Sequence, residues 1–201
     1  MWTLLPTAVP PPDRVQWVDV RGQGCVGGGA PGTVSSVPVT LRSARTGDVR
    51  AIRDLVAPYA ERRILVAKDP VAYYEGLQQF VVAELDGKVV GCGALHVFWE
   101  DVAEVRTVAV SEDARGHGIG GLIVDGLVDN ARAIGVNRVF CLTFETEFFA
   151  RHGFVLLEGD PVTPDVFREL LRSYDEGTAE FLDLDRAKPN TLGNTRMWLE
   201  L

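Results

Sequence analysis

In the stretch Val108-Ala-Val-Ser-Glu-Asp-Ala-Arg-Gly-His-Gly-Ile-Gly-Gly-Leu122 an apolar run stops, turns through glycines and restarts with a helical pattern. That order predicts a strand, a loop and a helix N-terminus. The first turn of a helix leaves backbone N–H groups without intrahelical partners and carries partial positive charge, so small residues there let a phosphate reach the backbone. The chemistry expected is therefore pyrophosphate binding. Spacing separates this loop from two others of similar composition. Gly116, Gly118 and Gly121 match G-x-G-x-x-G formally, but the acidic residue expected at a second strand end is missing, since Asp125 and Asp129 fall inside the next helix. A Walker loop fails because no Lys-Ser or Lys-Thr follows the glycines.

The elements that must position this cradle follow from periodicity. Val37 to Arg42 alternates apolar and polar and predicts a first strand; Thr46-Gly-Asp48 offers an N-cap for a helix carrying Val49, Ile52, Leu55, Val56 and Tyr59 up to the Pro58 region. Asp69 as N-cap and Pro70 at the first helical position open a second helix toward Gln79, which leaves Lys68 in the loop between the two. Phe80 to Leu85 and Lys88 to Leu95 flank Asp86-Gly87, a two-residue hairpin signal, and a third antiparallel strand runs from Ala103 to Val110. A helix from about Gly118 to Ile134, closed by Gly135 as C-cap, precedes the buried-strand pattern Arg138 to Phe144. A helical turn from Glu145 to His152, a strand from Gly153 to Leu157, a helix capped by Thr163-Pro164 toward Tyr174 and an alternating strand from Thr195 to Leu201 complete the chain.

Composition narrows the partners. A chain of 201 residues with 20 basic against 28 acidic side chains, net charge −8, disfavours non-specific binding to nucleic acid or to an anionic membrane and suits a small metabolite. Cys25, Cys92 and Cys141 are widely spaced and lack C-x-x-C or His neighbours, so neither a disulfide framework nor a metal site is indicated. Cys92 and Cys141 sit in apolar runs and read as buried small hydrophobes. The start Met1-Trp-Thr-Leu-Leu-Pro lacks the pattern of a signal peptide, and there is no long apolar run, so a soluble cytoplasmic protein is expected. Residues 1–37, rich in Pro, Gly, Ala and Val, predict a flexible extension ahead of one domain, 38–201.

Arg115-x-x-Gly118-x-Gly120, directly after Val108-Ala-Val110, resembles the acyl-coenzyme-A site of the GNAT acetyltransferase superfamily. The resemblance implies an α/β fold, a mixed and mostly antiparallel sheet flanked by helices and splayed between its fourth and fifth strands, with acetyl-CoA entering the gap as co-substrate and no metal. It implies coenzyme contacts at Val108, Ala109, Val110, Arg115, Gly116, His117, Gly118, Ile119 and Gly120, and at Phe148, Phe149 and Arg151 of the later helical turn. Parted strands leave backbone groups that an amide-bearing pantetheine arm can satisfy. From Val39 to Tyr174, through Arg63-Ile-Leu-Val66, Gly91-Cys-Gly-Ala-Leu95, Ala103-Glu104-Val-Arg-Thr107-Val-Ala-Val110, Leu142-Thr143 and Phe148-Phe-Ala-Arg-His-Gly-Phe154, the chain also resembles the acetyltransferase domain of the N-acetylglutamate synthases. Residues 1–37 are too few for the amino-acid-kinase-like domain of the long synthases, so the likeness is to the short form.

An α-amine is protonated near neutral pH, so a base must free its lone pair before it attacks a thioester. Glu104 is the candidate: it lies six residues before Val110, and period-two alternation predicts the same strand face for both. The resemblance assigns it the base role, gives Thr143 a hydrogen bond toward the departing sulfur, and leaves the oxyanion to backbone N–H groups near Val108. For an acceptor with two carboxylates the resemblance points to Lys68, His96, Thr107, Thr195 and Arg196. The family's C-terminal arginine position is Gly193 here, with Arg196 and Lys188 as nearby substitutes. Lys for Arg loses bidentate geometry and His for Lys makes the charge pH-dependent, so L-glutamine competes with L-glutamate as acceptor. Another amine acceptor and a non-catalytic acyl-CoA or amino-acid sensor are the alternative functions. The exposed C-terminal strand is compatible with a homodimer.

Overall fold

A computed structural model describes residues 39–158, 162–175, 178, 182 and 193–201. The expected extension, Val37 of the expected first strand, Cys25 and Lys188 lie outside the described residues. The elements are β1 (Thr40–Ser43), α1 (Val49–Glu61), α2 (Pro70–Glu75), β2 (Phe80–Leu85), β3 (Lys88–Trp99), β4 (Val102–Val110), α3 (Ile119–Ala133), β5 (Arg138–Thr143), α4 (Thr146–Ala150), β6 (Val155–Leu156), α5 (Pro164–Leu170) and β7 (Thr195–Glu200).

Local chemistry accounts for most boundaries. Asp86 and Gly87 both take positive φ, 51° and 74°, the turn that matches the twist of a two-residue hairpin between β2 and β3. Thr163 accepts the Val166 N–H and caps α5. Two helices depart from the sequence expectation. Pro58 lies inside the last turn of α1 rather than ending it, and the second helix breaks at Gly76 into a separate 3-10 turn, Leu77–Gln79. Gly135, at φ 86°, stands one residue past the cap of α3.

The seven strands form one sheet in the order β1-β2-β3-β4-β5-β7-β6. All neighbours are antiparallel except β4 and β5, which run parallel and pair only at Val102–Arg138, Ala103–Val139 and Glu104–Phe140. Beyond Glu104 the two strands part, as the resemblance implied. One face of the sheet carries α3, seated on a core with Val105, Val139, Cys141, Ile123 and Leu127. The other carries α1 and α2 over Val82, Cys92, Ala94 and Ala109. Glycines let α3 come close: a Cβ on Gly93 would lie 2.6 Å from Ile123 Cγ2 and 3.0 Å from Leu127 Cδ1.

Between β3 and β4 the register slips. Cys92 faces Ala109, yet Ala94 faces Arg106, so Gly93 stands against two residues of β4, Thr107 and Val108. Such a bulge inserts one residue and reverses the alternation beyond it. Val105 packs in the α3 core before the bulge, and Val108 and Val110 pack there after it. Glu104 pairs across β3 with His96, on the α1 face. The sequence expectation that Glu104 and Val110 share a face is thereby overturned: six residues of regular strand would have aligned them, and the extra residue separates them.

Candidate active site

Glu104 occupies the last rung of the β4–β5 ladder, at the fork where the strands part, and is only 4% exposed. It lines a cavity of about 680 Å³ between the sheet and the α1–α2 connection, together with Lys68, Gln79, His96, Arg106 and Thr107. Arg106 stands two residues along β4 on the same face, and its Nη1 donates to Glu104 Oε2 at 3.4 Å. The same nitrogen donates to both Asp175 oxygens, at 3.1 and 2.9 Å, while Nη2 donates to Gln79 Oε1 at 3.0 Å. Burial pushes the Asp175 carboxyl up, but the charge and hydrogen bonds of Arg106 outweigh it and hold the group below its usual range.

His96 Nδ1 donates to Gln79 Oε1 at 3.3 Å, and its ring meets Phe98 edge-on. Burial, helped by the positive charges of Arg106 and Lys68, lowers its pKa to about 4 against the pull of Asp175. The pH-dependent cation expected at this position is thus a neutral imidazole at neutral pH, because burial disfavours its charged form and two cations beside it add to the effect. Asp69, Glu75 and Asp175 also line the cavity, which therefore carries four carboxylates with Glu104, against the two cations Lys68 and Arg106.

Thr107, 8% exposed, takes φ 58° at the bulge and faces the cavity. Thr143 ends β5 on the opposite sheet face from Leu142, and its Oγ1 accepts the Glu145 N–H at 2.9 Å, which leaves the hydroxyl hydrogen free to donate. Thr195 pairs with Thr143 across β7 and Arg196 pairs with Leu142. Leu142 lines the cavity, whereas Thr195 and Arg196 do not. Glu104, Lys68, His96 and Thr107 are brought together; Thr195 and Arg196 stand on the next strand but one.

Along β4 from the fork the gap opens toward the glycine loop. Gly116 and Gly118 adopt φ of 81° and 73°, a left-handed backbone that turns the chain into α3. The first intrahelical bond runs from Leu122 N–H to Gly118 C=O, so the N–H groups of Ile119, Gly120 and Gly121 face outward. His117 Nδ1 donates to the Arg115 carbonyl at 3.0 Å and braces the loop. A Cβ on Gly120 would touch the Phe148 ring at 3.4 Å. Phe149, 7% exposed, meets Phe148 and Phe154 edge-on in the core, and Arg151 lies over the Phe148 ring at 6.0 Å. Cys92 and Cys141 are buried with thiol pKa values pushed upward by burial, which removes both as nucleophiles. Among the described residues no cluster of His, Cys, Asp or Glu could hold a metal ion, and no helix is long and apolar enough to cross a membrane.

Sequence reasoning missed Arg106, Gln79 and Asp175. Arg106 was within reach of it, since position i+2 from a candidate base on a strand shares its face. Asp175 comes from a loop some seventy residues later, and no local pattern announces it.

Residues 49–154 match the Acetyltransferase (GNAT) family. An amino-acid acetyltransferase from Mycobacterium tuberculosis is 60% identical over 164 residues, 80% of this chain and 94% of that protein. An amino-acid acetyltransferase from Neisseria meningitidis is 35% identical over 137 residues; the match spans 67% of this chain but only 31% of that longer relative. Among solved structures, one from M. tuberculosis in complex with CoA and NLQ has a TM-score of 0.77 at 60% identity, covering 81% of this chain and 99% of the other. An N-acetylglutamate synthase from Neisseria gonorrhoeae, complexed with coenzyme A and N-acetyl-glutamate, has a TM-score of 0.65 at 27% identity, covering 81% of this chain and 35% of the other. A forked sheet ending in a glycine-lined helix start, and an identity that runs nearly the whole length of the mycobacterial relative, lead to one conclusion: the chain belongs to the GNAT family, among its amino-acid acetyltransferases.

Proposed function

We propose that the chain acetylates the α-amine of L-glutamate, and of L-glutamine in the same cavity, with acetyl-CoA as donor, and so supplies N-acetylglutamate for arginine biosynthesis in the cytoplasm. The observation that carries this reading is Glu104, buried at the fork and facing a cavity that also holds Lys68 and Arg106. The diphosphate lies against the N–H groups at the start of α3, and the pantetheine arm runs along the free edge of β4, which brings the thioester to the fork. Glu104 takes a proton from the acceptor ammonium, directly or through water. The freed nitrogen attacks the thioester carbonyl, and N–H groups of the bulge near Val108 receive the developing oxyanion. Collapse forms the amide and breaks the C–S bond, and the surplus proton on the attacking nitrogen passes to the departing sulfur. A thiolate leaves readily, because a thiol has a pKa of about 8.5, so a hydrogen bond from the Thr143 hydroxyl is sufficient help.

Lys68 and Arg106 are the donors for an acceptor carboxylate. The excess of carboxylates in the cavity favours a neutral amide side chain over a second negative charge, and this supports glutamine as an acceptor alongside glutamate.

The test is release of free CoA thiol from acetyl-CoA with glutamate, glutamine, aspartate, arginine and spermidine offered separately, the product being identified by mass. Turnover with glutamate or glutamine supports the proposal and ranks the two. Turnover confined to arginine or spermidine would move the function to a different amine, and none at all would point to a sensor.

A further inference from the structure

Tyr59, in the last turn of α1, reaches across to the far end of β4 from the fork. Ser111 N–H donates to the Val90 carbonyl at 2.8 Å, toward β3, so by strand alternation the N–H and C=O of Val110 point the other way, into the gap. The Tyr59 hydroxyl takes both. It donates to the Val110 carbonyl at 2.8 Å and accepts the Val110 N–H at 3.2 Å. One hydroxyl thereby makes the two bonds that an extended amide chain would make with that edge.

The same oxygen accepts from Arg115 Nη2 at 3.3 Å, and the guanidinium lies 5.5 Å above the tyrosine ring. Arg115 is further held by Glu112, whose Oε1 is 3.8 Å from its Nη1 and also accepts from Arg62 at 2.8 Å. The arginine of the phosphate-loop motif and the amide-binding edge of β4 are therefore tied together by a side chain that belongs to neither. Beside the ring a cavity of about 350 Å³, walled by Ala51, Leu55, Pro58 and Val89, offers room for it to turn.

We propose that Tyr59 is a latch on the coenzyme site, competing with the pantetheine arm for the backbone of Val110 and with the diphosphate for Arg115. The inference rests on the reading that the arm lies along β4. An anionic diphosphate is a stronger partner for a guanidinium than a neutral phenol is, so its arrival at the glycine loop draws Arg115 off the tyrosine. The hydroxyl, having lost that contact, gives up Val110 to an incoming amide. The two bonds of Val110 are exchanged for two of their own kind, so the latch tunes affinity rather than blocking entry.

The experiment compares the parent with Tyr59→Phe, which keeps the ring and removes the hydroxyl. CoA affinity is measured by calorimetry and exchange of the Val110 amide hydrogen by NMR. One net hydrogen bond released corresponds to a CoA Kd lowered about fivefold in the variant. The Val110 amide, protected in the parent without coenzyme, should exchange freely in the variant and regain protection when CoA is added. An unchanged or weaker CoA Kd would overturn the latch, since the tyrosine would then be neutral toward the bound arm or supporting it. So would a Val110 amide that exchanges equally in both proteins without coenzyme. If CoA binds both proteins but leaves the Val110 amide of the variant unprotected, the arm does not lie on β4 and the underlying reading fails with it.

Discussion

Glu104 and His96 face each other across two strands, and the proposed mechanism gives them different parts. In the proposed mechanism Glu104 is the acid–base group, and Glu104→Gln keeps shape while removing basicity; kcat should fall about 10²- to 10³-fold with CoA affinity little changed, measured by thiol release and calorimetry. Equal turnover by variant and parent across pH 6 to 9 would remove Glu104 from the mechanism. His96 is held neutral, with a folded pKa of about 4 below its usual 6.5. Between those values the unfolded chain binds a proton that the folded chain refuses, so stability declines as pH falls from about 6.5 and levels off below about 4, by at most about 3 kcal/mol. Denaturant titrations of the parent and His96→Gln over pH 4 to 7 should show that slope in the parent and a flatter profile in the variant. Glu104 was legible in the sequence through the family resemblance, since a lone carboxylate on a strand otherwise reads as a surface group. His96 was legible as a position but not as a charge, since its neutrality depends first on burial and then on Arg106 and Lys68, which only the folded chain brings about.

At the level of elements, hairpin, capping and glycine signals gave the strand and helix order closely, and the glycine loop joins β4 to α3 where its pattern put it. The bulge at Thr107–Val108 was not legible. Alternation counts residues and cannot see that two of them share one rung, and a threonine at φ 58° carries no sequence warning. Its effect is concrete: the bulge lets one strand offer Glu104 and Arg106 to the cavity on one face, and Val108 and Val110 to the α3 core on the other. The seat of α3 depends equally on missing side chains. Gly93→Ala would place a methyl 2.6 Å from Ile123, and the strain should destabilise the protein by about 1–3 kcal/mol, read from the urea midpoint. Gly47→Ala, where nothing lies within 4 Å, is the matched control and should shift the midpoint far less.

For the molecule as a whole, a ligand that fills the gap binds the folded state alone. CoA at a hundred times its Kd should raise unfolding free energy by about 2.7 kcal/mol, visible as a higher Tm, while free adenine, which lacks diphosphate and arm, should leave it unmoved. The parted strands also bear on solubility. An unpaired strand edge recruits edges from other molecules, and proteins commonly suppress this by shortening or charging it. Here the free edge of β4 beyond Glu104 lies within the sheet, facing β5, while the two outermost strands are short, β1 with four residues, Thr40–Ser43, and β6 with two, Val155–Leu156. The fork thus serves as an aggregation guard: it keeps a strand edge open to something as thin as one extended chain and hidden from anything as broad as another sheet.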